Sequence, residues 1–391
     1  MAASSSTTGN LLPFQPFSLP ASNQRTLGEP HAPGTVIPLA LQLSPERAAG
    51  HDATSSLDAV VTTIKQLADR GDLDAALRRH GTLLFRGLPI QKADDFSRFA
   101  HAFGYKPHEI IGIVVDRPLL AKNVAPANES ALTTTIGSHN ESPQVPHAPA
   151  YIFFYAHRVP EKGGETPIGS SLEIFNKVNQ EVPEFIQELA EKGVKQTTIY
   201  KPNAQYKGGS TLKQAFGKLI NDEDSDEVKR QKIEDQIRRY NRPAEYTSWQ
   251  WNEDGGITLE HILPAIRTQP GTGIPGFFTS LAAQYAQKKR TPDAERLRTV
   301  RDTTYGDGSA IPERYLDVLL RVTEETRVLH KWQRGDVLVY DNRIAQHGRE
   351  PWEGKQEDRQ VFASLWDGEL PGAYGTAAFA QVVPALPDIQ V

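Results

Sequence analysis

The chain contains no cysteine in 391 residues. That excludes disulfides, thiolate zinc sites, iron–sulfur clusters and a cysteine nucleophile, so any metal must sit on nitrogen and oxygen ligands. No apolar run approaches the roughly 18 residues that a membrane-spanning helix needs. The N-terminal MAASSSTTGNLLPFQPFSLP lacks the charged and apolar regions of a secretory signal, and the C-terminal DIQV is no recognisable address. A cytoplasmic protein with no membrane attachment is the expectation. Excess positive charge is missing too. The net charge is −5, the pI is about 6.1, and basic residues alternate with acidic ones, as in DEVKRQKIEDQIRR. No nucleic-acid surface is therefore expected. The chain has no G-x-S-x-G elbow either, which sets serine-hydrolase chemistry aside.

What is present is a globular chain, 38% hydrophobic and 23% charged, long enough for a sizeable core. Residues 1–50 read as a flexible N-terminal arm and 371–391 as a C-terminal tail, with a single domain at 51–370. Three- and four-residue apolar spacing in LDAVVTTIKQLADRGDLDAALRR (57–79) predicts one or two amphipathic helices. GTLLFRGLPI (81–90) reads as a buried strand and KADDFSRFAHAFG (92–104) as a helix stopped by Gly104. IIGIVV, AYIFFYAHRV and ETPIGSS read as strands between 110 and 171, and DVLVYDNRIAQHGRE and RQVFASLWDG are β-like again. Helices return at 172–192, 226–240 and 313–327. The expected β core thus comes from two distant segments, about 80–170 and 332–368, with a largely helical insertion at about 195–330.

GTGIPG (271–276) matches the dinucleotide fingerprint G-x-G-x-x-G, but AIRTQP before it is no strand and Pro275 interrupts it, so a surface loop is expected. The histidines say more. His139 and Glu141 in SHNE lie two apart, so on extended backbone they face the same way. With 48 acidic residues in 391, roughly one position in eight, eleven histidines yield about one such pair by chance. The pair acquires meaning from the residues around it. A facial-triad ferrous site needs two histidines and one carboxylate on one side of the metal. His347 ends the strand-like DVLVYDNRIAQH, Thr166 lies in GGETPIGSS, and Arg359 opens RQVFASLW. An iron that activates oxygen by oxidising a 2-oxo acid needs a cation and a hydroxyl for the acid's far carboxylate, and arginine and threonine suit those tasks.

The segments HGTLLFRGL, SHNE, GGETPIGSS, WQRGDVLVYDNRIAQHGREPW and DRQVFASLW resemble the Fe(II)/2-oxoglutarate dioxygenases of the taurine dioxygenase (TauD/TfdA) family, from about residue 80 to 368. The His-x-Glu pair, WQWNEDGGITLE and TYGDGSAIPERYLD look like its clavaminate synthase-like branch. The resemblance implies a mainly β fold with flanking helices, a double-stranded β-helix (jelly roll) with the metal at its mouth. It implies Fe(II) on His139, Glu141 and His347, 2-oxoglutarate on Thr166 and Arg359, and O2 as co-substrate. Where taurine dioxygenase holds its sulfonate with a second arginine, four positions after the first, this chain has Ala363, so that mode of sulfonate binding is not expected. Glu141 departs from the halogenases, which lack the carboxylate, and Arg359 from the Jumonji demethylases, which anchor the oxo acid with lysine.

The substrate implied is a small amino acid or amino-acid-derived metabolite of specialised metabolism, undergoing hydroxylation, desaturation or oxidative cyclisation. His108, Asn128, Glu129 and Thr135 are the candidate substrate residues. His147 reads as loop scaffold, and Trp249, Trp251 and Trp332 as packing residues. A non-catalytic cupin-like binder and a His/His/Glu zinc hydrolase are the alternatives, but neither gives Thr166 and Arg359 a task.

Overall fold

The computed structural model describes residues 11–43, 56–113, 118–127, 130–202, 211–291, 303–380 and 386. Its centre is built from strands β1 (Ala125–Pro126), β2 (Ile136–His139), β3 (Tyr151–Arg158), β4 (Thr166–Ser170), β5 (Val328–His330), β6 (Val337–Asp341), β7 (Ala345–Arg349) and β8 (Gln360–Asp367). One sheet runs β1-β8-β3-β6 and the other β2-β7-β4-β5, all pairs antiparallel. The strands thus divide between two facing sheets in the winding of a double-stranded β-helix. Both sheets combine strands separated by the long insertion, as the two-segment reading expects.

The continuous apolar runs of β3 and β6 follow from burial on both faces. Ile152, Phe154, Ala156, Leu338 and Tyr340 point into the barrel with Ile168 and Val361. Tyr151, Phe153, Tyr155, Val337 and Val339 point the other way, onto a layer formed by helices Leu57–Asp69, Asp72–His80 and Ala93–His101. The alternation is the ordinary two-residue period of a strand with no solvent on either side.

Three expectations need correction. The flexible arm expected at 1–50 is not what residues 11–43 form. Leu39–Leu43 pairs in parallel with Thr82–Arg86, Phe14–Pro16 pairs with Leu39–Leu43, and Leu11, Phe14, Leu39 and Leu41 are core residues. Leu39, Leu41 and Leu43 are buried on one face and Ala40 on the other, and the Ser/Thr-rich start of the chain hid this. The insertion is not largely helical either. Val194–Tyr200, Thr247–Trp251, Ile257–Leu263 and Thr304–Tyr305 form a second four-stranded sheet beside the helices Asp226–Arg238 and Glu313–Thr326. ITLEHIL, with its strictly alternating burial, carried that signal. Finally, residues 110–113 of IIGIVV are not a strand, and 114–117 lie outside the described residues.

GTGIPG closes a hairpin between Ile266–Thr268 and Pro275–Phe277, with Gly271 and Gly273 at positive φ, and it runs into the second of these strands rather than opening the helix Leu281–Arg290. Among the described residues no helix is long and apolar enough to cross a membrane.

Candidate active site

His139 and His347 stand directly opposite one another on β2 and β7. Opposed residues on neighbouring antiparallel strands point to the same face with closely spaced Cβ atoms, and here the imidazole centroids are 4.6 Å apart. Glu141 follows where β2 ends, and its Oε2 is 3.4 Å from His347 Nε2. The potential ligand atoms of His139, Glu141 and His347 all lie within 4.8 Å of one another.

The protonation pattern suits metal binding. Gly137 O, which can only accept, lies 2.8 Å from His139 Nδ1, so the proton resides there and Nε2 keeps its lone pair. Burial pushes the His139 pKa down to about 4, and His347 adds to the shift while Glu141 opposes it. At neutral pH the ring is therefore uncharged, the form a metal requires.

The turn carrying these groups is held rigidly. Asn140, fully buried between the two potential ligands, faces away from them and donates to Asn342 O at 2.7 Å, while its Oδ1 accepts from Thr279 N at 3.0 Å. Asn342, just after β6, accepts the Glu141 N–H at 2.6 Å and donates to Glu141 O and Pro149 O at 3.1 and 2.8 Å. These two asparagines fix where the Glu141 carboxylate starts.

A second group gathers around Arg359, at the entry to β8. Arg359 donates through Nε to Gly164 O at 2.9 Å and through Nη2 to Thr166 Oγ1 at 3.4 Å. Gly164 has φ of 72°, and a Cβ there would lie 3.0 Å from Arg359 Cδ, so only glycine allows this approach. No carboxylate pairs with Arg359 among the described residues. Burial lowers its pKa to about 10, leaving a charged guanidinium at neutral pH. Trp332 Nε1–H donates to Thr166 Oγ1 at 2.9 Å. With two N–H groups on its oxygen, the threonine hydroxyl has its own hydrogen left to give to a ligand.

Both groups open into one cavity of about 570 Å³, whose wall includes His139, Glu141, His347, Thr166 and Arg359. Its outer part is lined by Ile110, Ile113, Ala125, Ala127 and Leu365, and by polar Glu109, Gln214 and Lys218. Gln214 belongs to the helix Leu212–Phe216, so the insertion helps to form this wall.

Of the candidate substrate residues, His108 lines the cavity, with Nδ1 2.6 Å from Asp367 Oδ1. Thr135 does not: it lines a separate depression with Ser138, Ala282 and Arg290. Asn128 and Glu129 lie outside the described residues. Ala363 lines the cavity, so no cation arises at that position. Arg349 lines it too, but its guanidinium donates to the carbonyls of Ser130, Ala131 and Thr134. Trp332, read as packing from the sequence, both packs and hydrogen-bonds in the site, and Asn140 and Asn342 carried no signal beyond their neighbours. Another group, His108, His147 and Asp367, also converges within 4.8 Å. Its two rings stack at 4.4 Å and 29°, and both approach the same Asp367 oxygen, His108 Nδ1 at 2.6 Å and His147 Nε2 at 3.8 Å.

A family model described as taurine catabolism dioxygenase TauD, TfdA family matches residues 45–365. The chain belongs to this family. A clavaminate synthase-like protein of Arabidopsis thaliana is 31% identical over 333 residues, covering 84% of this chain and 93% of that protein. The dapdiamide synthesis protein DdaC of Enterobacter agglomerans is 26% identical over 318 residues, covering 80% and 89%. A crystal structure of a taurine dioxygenase from Burkholderia xenovorans aligns with TM-score 0.42 at 15% identity, over 85% of this chain and 87% of that one. This TauD/TfdA member is an enzyme, an Fe(II)/2-oxoglutarate-dependent dioxygenase that uses O2. Two imidazoles beside one carboxylate, with an arginine on the wall of the same cavity, fit that pair of groups.

Proposed function

We propose that His139, Glu141 and His347 hold the Fe(II), that Arg359 and Thr166 hold the distal carboxylate of 2-oxoglutarate, and that the substrate is a small amino-acid-derived metabolite oxidised at an unactivated C–H bond. The observation that carries this reading is the convergence of all five side chains, drawn from β2, β4, β7 and the entry to β8, on one cavity. Bound Fe(II) supplies the O2 chemistry that couples decarboxylation of 2-oxoglutarate to succinate with oxidation of the substrate. The chain's own part is positioning. Gly137 O keeps His139 in the tautomer with a free Nε2. The Arg359 fork and the Thr166 hydroxyl fix one end of 2-oxoglutarate, and Phe154 and Val361 line the same cavity. Their apolar surfaces exclude water from that end, which strengthens each charged contact there.

The outer wall supports the amino-acid reading. Lys218 and Glu109 line the cavity as an ion pair of 3.6 Å, which the carboxylate and ammonium of an amino acid would exchange for contacts of their own. Arg239 already hydrogen-bonds Glu109 at 2.7 Å and, more than any other group, holds its pKa below the ordinary value, so it is ionised at neutral pH. Apolar Ile110, Ile113, Ala125 and Leu365 on the same wall suit an aliphatic body. An amino-acid panel, with succinate release and oxygen uptake as readouts, tests this. Release stimulated by an amino acid or its amide, and not by alkyl sulfonates, is expected. Stimulation by sulfonates alone would contradict it.

A further inference from the structure

β2 and the turn after it carry His139 and Glu141, so the spacing of these groups from His347 depends on what holds β2 in place. β2 is the edge strand of its sheet, and among the described residues it pairs with β7 alone. That pairing is irregular between His347 and Arg349. Gly348 passes so close there that a Cβ on it would lie 2.5 Å from Ile136 O. None of residues 130–137, which lead into the strand and open it, is fully buried. Apolar packing is therefore a weak anchor for the approach to β2, and polar contacts must supply the rest.

Arg349 makes those contacts. It ends β7, two residues beyond His347, and is only 3% exposed. Its Nη1 donates to Ser130 O at 3.1 Å, and its Nη2 to Ala131 O at 2.9 Å and Thr134 O at 2.8 Å. The guanidinium also stands over the Trp352 ring, 4.9 Å from its centroid, and the Trp352 N–H donates to Leu132 O at 3.1 Å. Gln356 Nε2 adds a donor to Ser130 O at 3.0 Å. One guanidinium thus ties the approach to β2 to the strand that bears His347. A planar, permanently charged fork makes stronger and better directed bonds than a neutral donor, and it spans several carbonyls at once.

We propose that Arg349 is a positioning residue for the metal. By holding residues 130–134 against β7, it sets how far His139 and Glu141 stand from His347. It acts through the backbone of that segment and of β2, not by contact with the ion. This inference rests on the assignment of His139, Glu141 and His347 as the iron ligands.

Anaerobic titration of the metal-free full chain with Co(II), a spectroscopic stand-in for Fe(II), tests it through the visible absorption of the bound ion. Wild-type protein should bind, and His139→Ala should not. Arg349→Gln removes the fork and should weaken Co(II) binding about tenfold, the lower end of what losing a group that orients a metal ligand costs. Arg349→Lys keeps the charge and one donor nitrogen, and should recover part of that loss. Phe14→Ala empties a core site of the strand Phe14–Pro16 and leaves the clamp untouched, so it should bind Co(II) as wild-type protein does. That variant separates positioning from general loss of stability. If Arg349→Gln does not fold, Arg349→Lys decides, with a loss of roughly threefold expected. Wild-type affinity in Arg349→Gln, or in Arg349→Lys where only that variant folds, would overturn the proposal and leave the ligand assignment standing. An equal loss in Phe14→Ala would overturn it as well. Absence of binding to wild-type protein, or binding that survives His139→Ala, would overturn the ligand assignment and the proposal with it.

Discussion

At the scale of single residues, the site depends on groups that orient other groups. Trp332 shows this best, because its indole N–H meets the Thr166 hydroxyl that faces the cavity. Trp332→Phe keeps the ring in place and removes one hydrogen bond, worth about 0.5–1.5 kcal/mol. The KM for 2-oxoglutarate should rise roughly two- to tenfold with kcat nearly unchanged. Steady-state kinetics at varied 2-oxoglutarate check this, and an unchanged KM would reduce the indole to packing. Such roles are hidden in sequence for a plain reason. Trp332 and Thr166 are 166 positions apart, and Asn342 and Glu141 are 201 apart, so only the folded barrel brings them together. The potential ligands were legible because their chemistry is rare in combination. SHNE alone is a chance-level pairing, and His347, Thr166 and Arg359 in order gave it meaning.

At the scale of elements, β3 and β6 were readable because both their faces are buried and their runs are continuously apolar, whereas β2, with only Ile136 apolar in IGSH, carried no such run. The insertion sheet was not readable, because its strands alternate with polar side chains and lie among highly charged helices. The N-terminal segment is the sharpest lesson. Its strands Phe14–Pro16 and Leu39–Leu43 extend the barrel sheet, and Phe14 packs edge-on against Phe85 at 5.2 Å. Phe14→Ala should cost about 3–5 kcal/mol, the usual range for emptying a buried phenylalanine site. Urea unfolding of the variant measures this. A loss below about 1 kcal/mol, as surface positions show, would mean that the segment does not belong to the cooperative core.

At the scale of the whole molecule, half-buried His31 and buried His261 tie stability to pH. Burial, more than any other cause, lowers His31 to about 4 and His261 to about 3, from an ordinary 6.5. Both rings are neutral in the fold, whereas the unfolded chain takes up their protons below 6.5. The unfolded state therefore binds more protons in that window, and stability falls as pH drops through it. The contribution is fully present above 6.5 and shrinks towards 4 and 3. The urea midpoint of metal-free protein should be lower at about pH 5 than at about pH 7.5. A midpoint that stays constant or rises would contradict the burial of these rings.

The central claim is that one cavity holds both iron and 2-oxoglutarate on the five named side chains. Anaerobic addition of Fe(II) and 2-oxoglutarate to purified protein, followed by visible absorption, tests it most directly. Wild-type protein should develop the weak charge-transfer band of a 2-oxo acid chelated to ferrous iron. His139→Ala should abolish the band, and Arg359→Gln should require far more 2-oxoglutarate to produce it. A wild-type protein without the band, or a band of full strength in His139→Ala, would contradict the account.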